Sequence, residues 1–298
     1  MKIMSEYLLR SMLYVPAYNE KLIKKSLTAP ADAIIYDLED SVPEVYKEEA
    51  RDILKKHILS GAFQNKLIFV RVNSLESQWL SEDLKHVLYK DIDGFVLPKI
   101  NTAEDMKNLD DMLTKLETEH GIEEGHFKFI PLIETASAVM DILPIASATN
   151  RTIALCFGGE DFLNDIQGTH GNPPHAFDYP RAAIVTAARA AGILPIDTPY
   201  LGIRDEEGFL QEKRLSYELG FAGVQILSPR QIAAANQCFT PDKEEVKRSQ
   251  EIMEACQKAI TEGTGVAMYN GKMVGPPMKK RAEKVLALIE QISGREER

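Results

Sequence analysis

Eight short apolar runs, each closed by polar residues and set roughly one helix apart, constrain this chain more than any other feature. They occupy residues 11–16, 33–39, 67–73, 94–100, 129–134, 152–158, 194–198 and 223–228. Continuous runs rich in Val, Ile and Phe read as strands buried on both faces. The segments between them carry helical periodicity. Residues 46–57 place Ala50, Ile53 and Leu54 among charges. Residues 102–119 open on Thr102 with Asp105 three positions on, a capping-box pattern, and repeat apolar side chains at Met106, Leu109, Leu113 and Leu116. Residues 182–191 are alanine-rich and end at Gly192, where a helix C-cap belongs, and residues 206–219 form a further helix.

Strand then helix, eight times, predicts parallel strands under covering helices. An open doubly wound sheet and a closed (β/α)8 TIM barrel both satisfy the pattern, and the count of eight favours the barrel. A doubly wound dinucleotide binder also needs a glycine-rich turn after its first strand. Here that strand runs out as Val15-Pro16-Ala17-Tyr18-Asn19, without glycine, and no phosphate-loop motif exists. The barrel is assigned to residues 1–240. Residues 241–298 read as a C-terminal helical and hairpin extension: a charged helix over 242–261, two short strands around an Asn270-Gly271 turn, and an amphipathic helix over 278–292. With too few apolar residues for a core of its own, the extension is expected to pack on the barrel mouth or on a neighbouring subunit.

The chain has 35 Lys plus Arg against 45 Asp plus Glu, a net charge of −10. Such a surface repels phosphate backbones and anionic membranes, so neither nucleic acid nor a membrane is expected as partner. No apolar run reaches the ~20 residues of a spanning helix, and the first nine residues do not read as a signal peptide. Cys156, Cys238 and Cys256 are odd in number and form no CxxC. A reduced, cytoplasmic protein is expected, with Cys156 as an inert buried thiol.

In such a barrel the chemistry gathers at the C-terminal ends of the strands. The polar residues that close the runs are Asp37, Glu39 and Asp40, then Arg71 and Asn73, Lys99, Glu134, Glu160 and Asp161, and Asp197. They recur at one strand–helix unit and are expected at one height. Crowded carboxylates raise each other's pKa, and a divalent cation relieves the repulsion. An all-oxygen set without histidine or cysteine suits Mg²⁺, which takes one or two carboxylates and leaves room for water and substrate. Glu134 and Asp161, on successive units, are the leading pair. Lys99 is read as a charged, paired lysine rather than a Schiff-base former. His170 and His175, flanking a Gly171-to-Pro174 loop, are read as solvent-facing, and Ser228 as a helix cap. No GxSxG element supports a serine hydrolase.

These residues carry a resemblance. Arg10-Ser-Met-Leu-Tyr-Val-Pro16, Asp37-Leu-Glu-Asp-Ser-Val42, Val70-Arg-Val-Asn73, Leu97-Pro-Lys99, Ile133-Glu134 and Gly159-Glu-Asp161 stand in order along the chain. Glu207-Gly-Phe-Leu-Gln-Glu212, Leu219-Gly-Phe-Ala-Gly223, Ser228-Pro-Arg-Gln-Ile232 and Tyr269-Asn-Gly-Lys-Met-Val274 complete the set. The chain resembles the citrate lyase β-like and malyl-CoA lyase superfamily, which includes the citrate lyase β subunits. The resemblance implies a (β/α)8 barrel and a carbon–carbon lyase acting on a β-hydroxyacyl thioester by retro-Claisen cleavage. The citryl thioester on an acyl carrier protein would give oxaloacetate and acetyl thioester; a citramalyl thioester would give pyruvate. A stand-alone citramalyl-CoA or malyl-CoA lyase is the alternative, and an inactive structural homologue a further one. The resemblance makes Glu134 and Asp161 the Mg²⁺ ligands, Arg71 and Glu134 substrate-binding, and Arg71, Glu39 and Asp40 catalytic. It implies a thioester carried by acyl carrier protein or CoA, citrate lyase α and acyl-carrier subunits as partners, and a homo-oligomer, trimer or hexamer. One departure stands out. Many relatives carry a catalytic aspartate after the segment matching Lys272-Met-Val274, and here that position is Gly275. Asp40 and Glu160 are the acids considered in its place. A milder departure is Ser228-Pro229, where many members have His-Pro.

Overall fold

The computed structural model describes residues 7–63, 66–171, 174–263 and 266–296. Outside it lie residues 1–6 and 64–65 of the segment assigned to the barrel, Asn172-Pro173 in the histidine loop, Thr264-Gly265 ahead of the hairpin, and residues 297–298 at the end of the extension.

All eight apolar runs are strands: β1 (Ser11–Pro16), β2 (Ala33–Asp37), β3 (Leu67–Arg71), β4 (Gly94–Leu97), β5 (Lys128–Ile133), β6 (Ala154–Phe157), β7 (Leu194–Asp197) and β8 (Gly223–Ile226). Each pairs in parallel with the next, and β8 returns to β1, so the sheet closes into the expected barrel. Side chains alternate inward and outward with period two. Met12, Ala33, Ile35, Phe69, Val96, Ile130, Leu132, Ala154, Cys156 and Ile196 fill the interior. Their neighbours, among them Leu13, Ile34, Tyr36, Val70, Phe95, Phe129, Leu155 and Val224, pack outward beneath the helices. With both faces covered, most strand positions away from the open end are apolar.

The helices form where their end signals lie. α1 (Glu20–Ser26) is capped by Asn19, whose side chain accepts from Leu22 N. α2 (Lys47–Leu59) follows a short 3₁₀ turn at Glu44–Tyr46, and α3 (Leu80–Val87) packs beside it. α4 (Ala103–Glu119) has the full Thr102–Asp105 capping box. α5 (Ala136–Met140), α6 (Ile142–Ser147) and α7 (Gly159–Asp165) are short. α8 (Asp178–Ala191) and α9 (Glu206–Leu219) stop at left-handed Gly192 and Gly220, at φ 76° and 108°. Ser228 caps the turn that leads into α10 (Ile232–Cys238).

The extension consists of α11 (Lys243–Thr261), the antiparallel pair β9 (Met268–Tyr269) and β10 (Lys272–Met273), and α12 (Pro276–Glu296). Asn270 and Gly271 both have positive φ, as a tight hairpin turn requires. α11 and α12 pack on each other, Tyr217 of α9 donates to Glu245 of α11 at 2.9 Å, and Tyr269 donates to Glu251 at 3.0 Å. Arg295, in the last turn of α12, donates to the carbonyls of Leu8 and Asp32. Both precede strands, so the end of α12 is fastened to the barrel's closed, strand-N-terminal end. Among the described residues no helix is long and apolar enough to cross a membrane.

Candidate active site

Period-two alternation decides which strand-end residues face the opening. Continuing inward from Met12, Ile35, Phe69 and Leu132 gives Tyr14, Asp37, Arg71 and Glu134, and Gln225 lies inward between outward Val224 and Ile226. Arg71 is the hub. Its Nε and Nη2 donate to Asp37 Oδ1 and Oδ2, both at 2.7 Å, and Nη1 lies 3.0 Å from Glu39 Oε2 and 3.7 Å from Asp40 Oδ2. Its guanidinium sits 5.0 Å above the Tyr14 ring. Tyr14 donates to Gln225 Oε1 at 3.0 Å, and Gln225 Nε2 donates to the carbonyls of Phe157 and Asp197. Burial opposes ionisation of Asp37, yet Arg71 outweighs it and holds that carboxyl below the usual range. Burial likewise works against the charge on Arg71, and Asp37 more than restores it.

The loop after β2 is held from beneath. Lys47, in the first turn of α2, donates to Leu38 O at 2.6 Å, Glu39 O at 2.8 Å and Asn73 Oδ1 at 2.8 Å. Asn73 Nδ2 donates to Leu38 O and to Asp83, which Arg51 also meets at 3.1 Å. All four polar side chains are buried. They fix the backbone that presents Glu39 and Asp40. Glu39 is buried, and burial pushes its carboxyl up to about 7 despite Arg71. Among the described residues its Oε1 finds no hydrogen-bond partner, and it stands 3.4 Å from Lys99 Nζ. A cleft of ≈ 370 Å³ opens here, lined by Glu39, Asp40, Asn73, Ser74, Ser77 and Lys99 among others.

Across the mouth the arrangement differs. Glu134 is 2% exposed, and its Oε1 accepts the backbone N–H of Lys99 at 2.5 Å. Lys99 reaches that position with φ 55°. Burial pushes the Glu134 carboxyl up to about 8, and neighbouring Asp161 adds to the rise. Gly158 makes room for it: a Cβ there would come within 2.7 Å of Glu134 Oε2. Asp161 is exposed on α7. Among the described residues no Lys, Arg or His makes an ion pair with either acid, and Arg71 only tempers the rise of Glu134. Glu160 instead turns to His170, 3.1 Å away, with both side chains at least half exposed. His175 meets Asp178 in solvent.

Two open carboxylates, one of them raised by burial, form an all-oxygen donor pair that fits a hard divalent cation. Glu134 and Asp161 are the residues that could hold it. Among the described residues no group of three or more Asp, Glu, His or Cys stands close enough to form a fuller metal cluster. Such a site would complete its shell with water and substrate, as Mg²⁺ usually does.

Asp197 is not in the site, contrary to the reading from strand ends alone. Ile196 points inward, so Asp197 points outward, where it is fully buried against Arg181 of α8 and Lys213 and Ser216 of α9. Those cations hold it well below the usual carboxylate range although burial opposes this. Lys99 is a charged, paired lysine, as expected: burial works against its charge, and Glu39 and Asp40 raise its pKa. Tyr14, Gln225 and Lys47 escaped the sequence reading. The first two were within reach of the alternation rule; a lysine in a charged helix carries no signal of burial.

The family model for HpcH/HpaI aldolase/citrate lyase matches residues 10–229, the whole barrel from β1 to the turn after β8. The chain belongs to the HpcH/HpaI aldolase/citrate lyase family. It is 35% identical to the citrate lyase subunit beta of Leuconostoc mesenteroides subsp. cremoris over 285 residues, covering 95% of this chain and 94% of that relative. It is 31% identical to the mitochondrial citramalyl-CoA lyase of Mus musculus, covering 95% of this chain and 86% of the other. The crystal structure of protein CitE from Mycobacterium tuberculosis, in complex with magnesium, acetoacetate and coenzyme A, superposes with a TM-score of 0.74. It is 25% identical and covers 93% of this chain and 96% of that one. Like these HpcH/HpaI relatives, the protein is a carbon–carbon lyase.

Proposed function

We propose that the protein is a Mg²⁺-dependent lyase that cleaves a β-hydroxyacyl thioester by retro-Claisen chemistry. The citryl thioester is the leading substrate and the citramalyl or malyl thioester the alternative, carried on acyl carrier protein or CoA. The observation that carries the reading is one open carboxylate pair, Glu134 and Asp161, sharing a barrel mouth with one fixed guanidinium, Arg71. The relative in complex with magnesium and coenzyme A supports the metal and the carrier chemistry.

The reaction removes the proton of the β-hydroxyl, breaks the carbon–carbon bond to leave a keto acid, and releases a thioester enolate that takes up a proton at carbon. Glu134 and Asp161 would hold Mg²⁺, which supplies Lewis-acid polarisation of the substrate's oxygens. Arg71 is oriented by two hydrogen bonds to Asp37 and by the Tyr14 ring, so its Nη1 edge clamps a substrate carboxylate or the enolate oxygen without reorganising. Glu39, raised to about 7, holds or moves a proton at Oε1 near neutral pH, the range a general acid–base needs. Asp40, exposed at the edge of the cleft, tunes Arg71 from 3.7 Å. Gly275, just ahead of α12, accepts Met278 N at its carbonyl and offers no acid; Glu39 therefore carries the proton duty. The extension, residues 241–298, would serve a neighbouring subunit of a homo-oligomer through its hairpin, where Met268 and Met273 are exposed.

The test is to offer citryl-, citramalyl- and malyl-CoA, and citryl-acyl carrier protein, with Mg²⁺, and to follow keto acid release. Cleavage of one of them, lost in Glu134→Gln and Asp161→Asn, is expected. Absence of cleavage for all four would overturn the proposal.

A further inference from the structure

Behind β7 the barrel departs from its own pattern. The outward positions of the other strands are mainly apolar, whereas a charged cluster of Asp197, Arg181 and Lys213, with Ser216, is buried together there. Arg181 Nε and Nη2 reach Asp197 Oδ1 and Oδ2 at 3.0 and 3.1 Å. Lys213 Nζ reaches Asp197 Oδ2 at 2.8 Å, Thr198 O at 2.9 Å and Glu212 Oε1 at 2.7 Å. Two cations balance two carboxylates, so the cluster is neutral, but desolvating it costs more than apolar packing of the same volume would. Its effect is to pin the backbone of Asp197 and Thr198 from outside.

Thr198 transmits that position into the mouth. It is buried, and its Oγ1 accepts the backbone N–H of Gly159 at 3.0 Å. Gly159 is the first residue of α7, two before Asp161. The fit is close: a Cβ on Gly159 would lie 2.7 Å from Thr198 Oγ1, and one on Gly158 would lie 2.5 Å from Glu134 Cβ. The Gly158-Gly159 pair is thus wedged between Glu134 on one side and Thr198 on the other. Moving Thr198 moves the start of α7, and with it the gap between the two carboxylates.

We infer that Thr198, held by the buried Lys213–Asp197–Arg181 cluster, is a positioning residue that sets the placement of Asp161 against Glu134 and so the affinity for the divalent cation. The inference rests on the reading of those two acids as the cation's ligands. It predicts an effect on metal binding without substrate, because Thr198 acts through Gly159 and touches no reacting atom. An acceptor hydroxyl at residue 198 is the requirement; its methyl group is not.

The experiment is Mn²⁺ binding to the full chain, followed by electron paramagnetic resonance. Thr198→Val, which keeps the shape and removes the acceptor, is expected to weaken Mn²⁺ binding at least tenfold. Thr198→Ser is expected to stay within twofold of the parent. Wild-type affinity in Thr198→Val, with binding lost in Asp161→Asn, would overturn the inference while leaving the metal reading intact. No binding by the parent chain would remove the metal reading and this inference with it. If Thr198→Val does not fold, hydrogen exchange on the parent decides: Mn²⁺ is expected to protect the segments around Gly159 and Thr198 together. Protection confined to Glu134 and Asp161 would contradict the coupling.

Discussion

The two sides of the barrel mouth hold the same residue types and use them in opposite ways. On the β2–β3 side Asp37 is saturated: both oxygens take Arg71, and the N–H groups of Glu39 and Ser41 close around it. On the β5–β6 side Glu134 receives a single backbone N–H, and Asp161 stands open. Both Asp37 and Glu134 are buried, so burial alone does not separate them; the neighbouring cation does. Two hydrogen bonds from Arg71 hold the Asp37 carboxyl below its usual range, whereas burial and the like charges of Asp161 and Glu39 push Glu134 up to about 8 against a weaker pull from Arg71. A saturated acid is framework that aims Arg71. An open pair is a place where a cation from solution is worth most.

The sharpest way to break this contrast is to remove its hub. Arg71→Ala leaves Asp37 buried without its cation, so it is expected to cost ~3–5 kcal/mol of stability, the usual effect of breaking a buried pair. It is also expected to lower kcat/KM by about 10³-fold, since oriented charge at the reacting centre is lost. Urea unfolding and keto acid release measure the two effects. On the other side they should separate. Asp161→Asn is expected to lower kcat/KM by at least about 10²-fold while stability stays within ~0.5 kcal/mol, because an exposed side chain contributes little to folding. Equal stability losses in the two variants would erase the distinction between framework and site.

A third, smaller effect lies in the pH dependence of the chelated protein. Glu39 and Glu134 have folded-state values of about 7 and about 8, above the ~4.3 of an unfolded glutamate. The folded chain then binds more protons than the unfolded one, so stability falls as pH rises from about 4.5 to 8. Asp37 and Asp197 are shifted the other way, and their contribution is present at neutral pH and lost on acidification below about 4. Denaturant midpoints in EDTA should therefore decline between pH 5 and 8. Glu134→Gln should flatten that decline, and Mg²⁺ should reverse it. The smallest effect, and a control outside the mouth, is Thr102→Ala: loss of the α4 cap should cost ~1 kcal/mol without changing kcat/KM.

The fold was legible because its signal is repeated: eight apolar runs at one spacing leave few topologies, and local signals such as Thr102, Gly192 and Asn270-Gly271 fall where the chain turns. The site was legible in part. Asp37, Arg71 and Glu134 close their runs on the inward parity, whereas Asp197 closes its run on the outward one. Treating every strand-end acid alike therefore placed Asp197 with the others, and counting residues from Ile196 corrects it. Lys47 and Thr198 were not legible at all. Their partners lie on other strands and loops, 26 positions away for Lys47 to Asn73 and 39 for Gly159 to Thr198, and neither type advertises burial.

The most direct test of the central claim is a crystal of the protein soaked in Mn²⁺ and examined by anomalous scattering. One peak is expected at coordination distance from both Glu134 and Asp161, with Arg71 still engaged by Asp37. A peak held by Asp37, Glu39 or Asp40 instead, or none at the mouth, would contradict it.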